Sequence, residues 1–244
     1  MTDPGPLLGH GRAADVYDLG DGTVLRRYRP AAVRGGLVER EAMVMRHLAN
    51  SGFPVPAVHE ASGADLVMQK LDGHTMLTDL ERRPWRLGRH AEQWAELHRR
   101  LAAVPVGELA ERGVPARFGP PESVLHLDFH PDNIMLTPDG PVVFDWTNAT
   151  IGPAAADVAQ SWIVGATSSV EGGIVIAAIT RLVRGRLMDR FVDACGRADA
   201  IAMVPAMAEY RLQDRNVRPE EAARIHELVA SLRPPVERAD QPSA

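Results

Sequence analysis

The chain has 244 residues, 45% of them apolar, and a formal charge of -5. That is enough apolar material for a sizeable core, in one domain or in two lobes folded against each other, and it excludes gross disorder. The nearly balanced charge, without a basic tail or lysine block, gives no ground for a nucleic-acid or anionic-membrane partner, and the single Cys195 excludes an intrachain disulfide framework and fits a reducing compartment, the cytoplasm by default.

The N-terminal "MTDPGPLLGHGRAADVYDL" lacks the basic segment and apolar core of a secretion signal. Residues 7 to 28 read as two short strands, "ADVYDL" and "TVLRRY", joined by the turn residues "GDG" at 20 to 22. Ahead of them, Gly9 and Gly11 in "GHGRAAD" let the backbone approach something bulky. From Leu37 the period changes: Val38, Ala42, Met45 and Leu48 recur at helical spacing up to Gly52. "FPVPAVHEASG" is extended but carries two prolines, which bar an ordinary central strand, and "ADLVMQKL" predicts a short strand that stops at Asp72-Gly73.

Residues 85 to 104 return to helical spacing through Leu87, Ala91, Trp94, Leu97 and Leu101. The proline-bearing stretch 105–124 predicts a connection with little regular structure. A strand is expected through Val142, Val143 and Phe144, then a loop, then a helix from about Pro153. Residues 173 to 232 are mainly helical by periodicity, "GGIVIAAITRLVRG" is too short to span a bilayer, and "RPPVERADQPSA" is expected to fray.

Chemistry concentrates in "HLDFHPDNIML" at 126 to 136, which packs two carboxylates, two imidazoles and an amide ahead of an apolar run. A bland reading exists: a polar turn in which Pro131 fixes a corner and Asp132 and Asn133 bond nearby backbone. A hairpin from "NIML" to "VVFDW" across "TPDG" changes the balance, because it brings Asn133 near Asp145. Their oxygens are hard donors suited to Mg²⁺, with phosphate oxygens and waters completing the shell, and Asp128 is then a candidate base for a hydroxyl nucleophile. The rival is a zinc site built from His126, Asp128, His130 and Asp132, which would make the chain a metal-dependent hydrolase.

"HLDFHPDNIML" followed by "VVFDW" resembles the catalytic loop and metal-binding segment of the aminoglycoside phosphotransferase and choline kinase-like family, small-molecule kinases with a protein-kinase-like fold. The resemblance covers about residues 5 to 165. It implies a bilobal α+β fold, with a small sheet-bearing N-lobe over 1–70 that covers the nucleotide and a mostly helical C-lobe over 71–244 that carries the catalytic and acceptor groups. It also implies Asp128 as catalytic base, Asn133 and Asp145 as Mg²⁺ ligands, and an ATP site, with GTP an open alternative. Gly9 and Gly11 of "LLGHGRAADVY" match a phosphate-covering loop, and the backbone from Met68 through Gln69 to Lys70 matches the connection that hydrogen-bonds the nucleotide base.

The departure lies in the basic residue expected to pair with phosphate. By position it is Arg26, with Glu41 as partner, where the wider fold usually has lysine; a planar guanidinium fork demands different geometry. Lys70, the only lysine, lies too near the inter-lobe connection to replace it. His126, Asp157 and His98 are read as supports rather than reacting groups. The function implied is transfer of the ATP γ-phosphoryl group to a hydroxyl of a small molecule such as an aminoglycoside, amino alcohol, amino acid or sugar. A catalytically weak nucleotide-binding module of the same fold is the alternative that Arg26 keeps open.

Overall fold

The structure, a computed structural model, describes residues 4–11, 13–33, 35–167 and 174–232; the C-terminal "RPPVERADQPSA" lies outside them. The first part of the chain forms an antiparallel five-stranded sheet from β1 (Leu7–His10), β2 (Ala14–Asp18), β3 (Thr23–Tyr28), β4 (Val58–Ser62) and β5 (Asp65–Gln69), in the order β1-β2-β3-β5-β4. The expected hairpin is β2–β3, with Gly20 and Gly22 both at positive φ in its turn. β1 was not anticipated as a strand. It pairs with β2 despite Gly9. The segment with prolines supplies β4, an edge strand that begins only after Pro54 and Pro56.

Between β3 and β4 lies α1 (Leu37–Asn50), which buries Val38, Ala42, Met45 and Leu48 and ends before Gly52 at φ 75°. Glu41 sits inside this apolar stripe, and a carboxylate there needs a cation.

The rest of the chain is mostly helical. A short strand β6 (His74–Thr75) leads into α2 (Met76–Arg82), whose Thr75 side chain accepts from the Thr78 N–H as N-cap. α3 (Leu87–Ala102) follows, burying Trp94, Leu97 and Leu101. β7 (Ser123–Leu125) pairs with β10 (Thr150–Gly152), and between them runs the expected hairpin, β8 (Ile134–Thr137)–β9 (Gly140–Val143), with Ile134 opposite Val143. β6 extends this hairpin on its β8 edge. α2, β6, β7 and β10 escaped the sequence reading because each is very short.

α4 (Ala154–Thr167) is buried nearly all round, and packs on α5 (Ile174–Cys195), α6 (Arg197–Leu212) and α7 (Pro219–Ser231). No helix among the described residues is long and apolar enough to cross a membrane.

Candidate active site

Residues 126 to 133 form a loop braced from below. The buried Asp157, in the first turn of α4, accepts the N–H of His126 at 3.1 Å and of Leu127 at 2.7 Å. This holds Leu127 at φ 60°, a left-handed conformation that costs an ordinary side chain about 1–2 kcal/mol and so needs such bracing. His126 is fully buried. Its Nδ1 accepts the Asp128 N–H at 3.2 Å, so the proton resides on Nε2, which donates to the Phe144 carbonyl at 3.0 Å. With both nitrogens occupied, His126 ties the loop to the end of β9.

The zinc reading has no support here: no group of three or more His, Cys, Asp or Glu among the described residues is placed to hold a metal ion, and Asp132 is exposed.

Asp128 has its carboxylate on a cavity of about 660 Å³. Burial raises its pKa, but the hydrogen bond and charge of His130, whose Nε2 lies 3.4 Å from Oδ1, with the charge of Arg211, outweigh that and hold it below the usual carboxylate range. It is therefore ionised at neutral pH. Asn133 donates its Nδ2 to the Asp128 carbonyl at 2.8 Å and approaches the Asp128 carboxylate at 3.4 Å. Those contacts leave the Asn133 Oδ1 unused.

Asp145 follows β9 at φ 65° and lines the same cavity. Its Oδ1 accepts from Arg26 Nη2 at 2.7 Å and from Thr147 Oγ1 at 2.7 Å, while Oδ2 is free of both. Burial raises the Asp145 pKa, and the Arg26 charge and these bonds lower it further than burial lifts it. Asn133 Oδ1 and Asp145 Oδ2 are the hard oxygen donors that Mg²⁺ prefers, so the donor set fits that ion.

Arg26, on the central strand β3, also donates Nη1 to Glu41 at 3.0 Å. Its Nη2 reaches Thr147 Oγ1 at 3.1 Å, and Tyr28 donates to Glu41. Burial raises the Glu41 pKa against the pull of Arg26 and Tyr28. Arg27 points the other way, as strand alternation requires, and pairs with Asp65 at 2.7 Å. Lys70 is paired with Asp18 at 2.5 Å. Tyr28 and Thr147 went unrecognised in the sequence, although each stands two residues from a recognised group and the period of a strand puts Tyr28 on the face of Arg26.

The cavity brings together Gly11, Arg26, Asp128 and Asp145, and its far wall is made by Gln160, Tyr210, Arg211 and Asp214. Gly9, Met68, Gln69 and Lys70 are not part of it. The Gln69 N–H is bonded to the Ala57 carbonyl at 2.8 Å and the Lys70 N–H to the Gly22 carbonyl at 2.9 Å, so neither is available to a nucleotide base as arranged. The Gly11 N–H closes a tight turn onto the Ala14 carbonyl at 2.8 Å, where a Cβ would come within 2.7 Å of that oxygen; Gly11 is needed for the turn rather than as a free donor. A larger, more open hollow of about 960 Å³ on the outer face of α1 contains none of these groups.

An antiparallel sheet with a buried β3 cation paired to α1, set over a helical part that carries a braced aspartate loop and a second aspartate after a hairpin, defines a protein-kinase-like phosphotransferase. The sequence profile of the phosphotransferase enzyme family matches residues 5–120 and 106–190, so the chain belongs to that family. No curated protein matches the chain in sequence.

Among solved structures, the streptomycin-ATP-APH(2")-IIa ternary complex is 13% identical with a TM-score of 0.58 and covers 84% of this chain and 82% of its own. An ethanolamine kinase of Plasmodium vivax is 11% identical with a TM-score of 0.59, covering 93% and 84%. A macrolide 2'-phosphotransferase type I is 19% identical with a TM-score of 0.51, covering 93% and 91%. At these identities the likeness is one of fold, and together with the family it makes the chain a small-molecule phosphotransferase.

Proposed function

We propose that the chain transfers the γ-phosphoryl group of ATP, with Mg²⁺, to a hydroxyl of a small molecule seated against Asp128. The observation that carries this reading is the arrangement of two ionised aspartates, Asp128 and Asp145, on one cavity, with Asn133 bonded to the first and Arg26 to the second. Residues 1–70 act as the nucleotide-covering lobe and 71–244 as the catalytic and acceptor lobe. The fold neighbours include an ATP complex and an ADP-bound enzyme, and also a GDP complex, which keeps GTP as a second donor.

Bound magnesium nucleotide supplies the phosphoryl group and neutralises charge on its oxygens. Asn133 and Asp145 would hold the metal, and Arg26 would present a guanidinium to phosphate while Glu41 keeps it in place. Asp128 orients the acceptor hydroxyl and takes its proton, which its depressed pKa permits at neutral pH. Transfer is direct and needs no phosphoenzyme.

The test is Mg²⁺-dependent ADP or GDP release against pooled aminoglycosides, amino alcohols, amino acids and sugars, with Asp128→Ala as control. Acceptor-dependent release that the variant lacks is expected. Equal release by both proteins rejects Asp128 as base.

A further inference from the structure

We propose that the hollow on the outer face of α1 is a second ligand site, separate from the nucleotide cavity, that binds a small molecule carrying several phosphate groups.

The hollow has a volume of about 960 Å³, in the size range of small-molecule sites. Two pieces of chain build most of it. Helix α1 turns Val38, Ala42, Met45 and Leu48 into the core, and its opposite stripe, with Arg40, Met43, Arg46 and His47, faces the hollow. Arg112 and Gly113 reach it from the connection after α3. His47 ties these pieces together, its Nε2–H donating to the Pro105 carbonyl at 2.7 Å.

The charge of the lining points to an anion. Arg40, Arg46 and Arg112 line the hollow against one carboxylate, Glu39, in a chain whose formal charge is -5. None of the three has a carboxylate partner among the described residues. Arg40 reaches only the Gly35 carbonyl, at 3.3 Å, and the side chains of Arg46 and Arg112 have neither a hydrogen bond nor an ion pair there. The sequence explains this for the helix. Positions three and four away from Arg46 hold Ala42, Met43, Ala49 and Asn50, and those around Arg40 hold Gly36, Leu37, Met43 and Val44, so neither arginine has an acid within reach along α1. Arg26, Arg27 and Arg211, by contrast, are each held by a carboxylate. Gly35 and Gly36 also line the hollow, where α1 begins without a side-chain cap, and the helix end adds partial positive charge.

Guanidinium groups gathered on a concave surface suit phosphate, whose oxygens accept paired N–H donors. No Phe, Tyr or Trp lines the hollow, so a nucleotide base has no such ring to stack on, and the ligand class narrows to phosphates without a base. The positive charge is confined to this concavity in a chain of net negative charge. That favours a compact ligand over a nucleic-acid backbone, which needs an extended basic track.

The experiment is calorimetric titration of the full chain with inositol hexakisphosphate, a phosphate-rich ring without a base, and separately with ADP and with a short oligouridylate. Wild type is compared with the double variant Arg46→Ser, Arg112→Ser and with Glu39→Gln. Arg46 and Arg112 are exposed and make no contact that the fold needs, so the double variant should bind ADP as wild type does. Inositol hexakisphosphate should bind wild type and bind the double variant at least about tenfold more weakly, the effect of lost charge-assisted hydrogen bonds. Removing the opposing carboxylate in E39Q should tighten it about threefold. Absence of binding to wild type, or equal binding by the double variant, overturns the proposal. A parallel loss of ADP affinity would place the arginines at the nucleotide site and overturn it too, and oligouridylate bound more tightly than inositol hexakisphosphate would replace the small ligand by a nucleic acid.

Discussion

Arg26 spans two carboxylates from different elements, Glu41 on α1 at 3.0 Å and Asp145 after β9 at 2.7 Å. The fork shape of arginine makes this possible, because separate nitrogens serve the two acids while Nη2 also reaches Thr147. A lysine has one ammonium for the same positions. Breaking a buried pair by removing one partner costs about 3–5 kcal/mol, since the remaining charge is stranded. Arg26→Met is therefore expected to lose that much in urea unfolding, and Arg26→Met with Glu41→Gln much less than the sum of the single changes. Strict additivity would show that the two residues are not coupled. Arg26→Lys should fold, with a lowered Tm and weaker nucleotide binding.

Asp128 and Asp145 should separate when each is changed. Asp128→Asn keeps the loop's shape but removes the proton acceptor, and loss of such a group lowers kcat by about 10²–10⁴-fold. Nucleotide affinity should stay close to wild type. Asp145→Asn removes a charged oxygen donor and a partner of Arg26, so Mg²⁺-dependent nucleotide affinity should fall. Titrations of nucleotide with and without Mg²⁺ distinguish the two; a D128N protein that binds nucleotide poorly contradicts the assignment.

Much of this site was legible because polar residues interrupt apolar patterns. Glu41 stands in the buried stripe of α1, and the hairpin expected from "NIML" to "VVFDW" forms, with the Phe144 N–H bonded to the Asn133 carbonyl at 3.1 Å. What was not legible depends on which backbone groups the sheet consumes. The glycines near residue 10 and the segment 68–70 look free in sequence, yet the N–H groups of Gly11, Gln69 and Lys70 are all bonded within the protein. The far wall was hidden for a different reason: Gln160 and Arg211 lie 51 positions apart and meet only through the packing of α4 on α6.

Asp157 is expected to act on rate through geometry. Asp157→Ala leaves the N–H groups of His126 and Leu127 buried and unpaired, at about 1–3 kcal/mol each, and removes the brace on the left-handed Leu127. Stability and kcat should both fall. Asp157→Asn, which retains one acceptor oxygen, should recover part of each, while the KM for nucleotide changes little. A D157A protein with wild-type kcat would show that Asp128 needs no such bracing.

His98 provides a pH test that does not depend on turnover. It is fully enclosed between Phe129 and Phe191, its Nε2 is 3.3 Å from Ser161 Oγ, and its Nδ1 is 3.9 Å from Asp157, too far for a hydrogen bond. Burial pushes its pKa down to about 3 from an ordinary 6.5. The folded protein thus keeps His98 neutral over a range in which the unfolded chain binds a proton there. Stability must rise with pH wherever the unfolded state holds more protons, so this contribution is complete above about 6.5 and is lost as pH falls toward 3. The slope is at most about 1.4 kcal/mol per pH unit. In urea titrations between these limits, His98→Gln, which cannot take up the proton, should show a shallower acid loss than wild type. Parallel curves would place the acid sensitivity elsewhere, in carboxylates held below their usual range such as Asp79, Asp128 and Asp145.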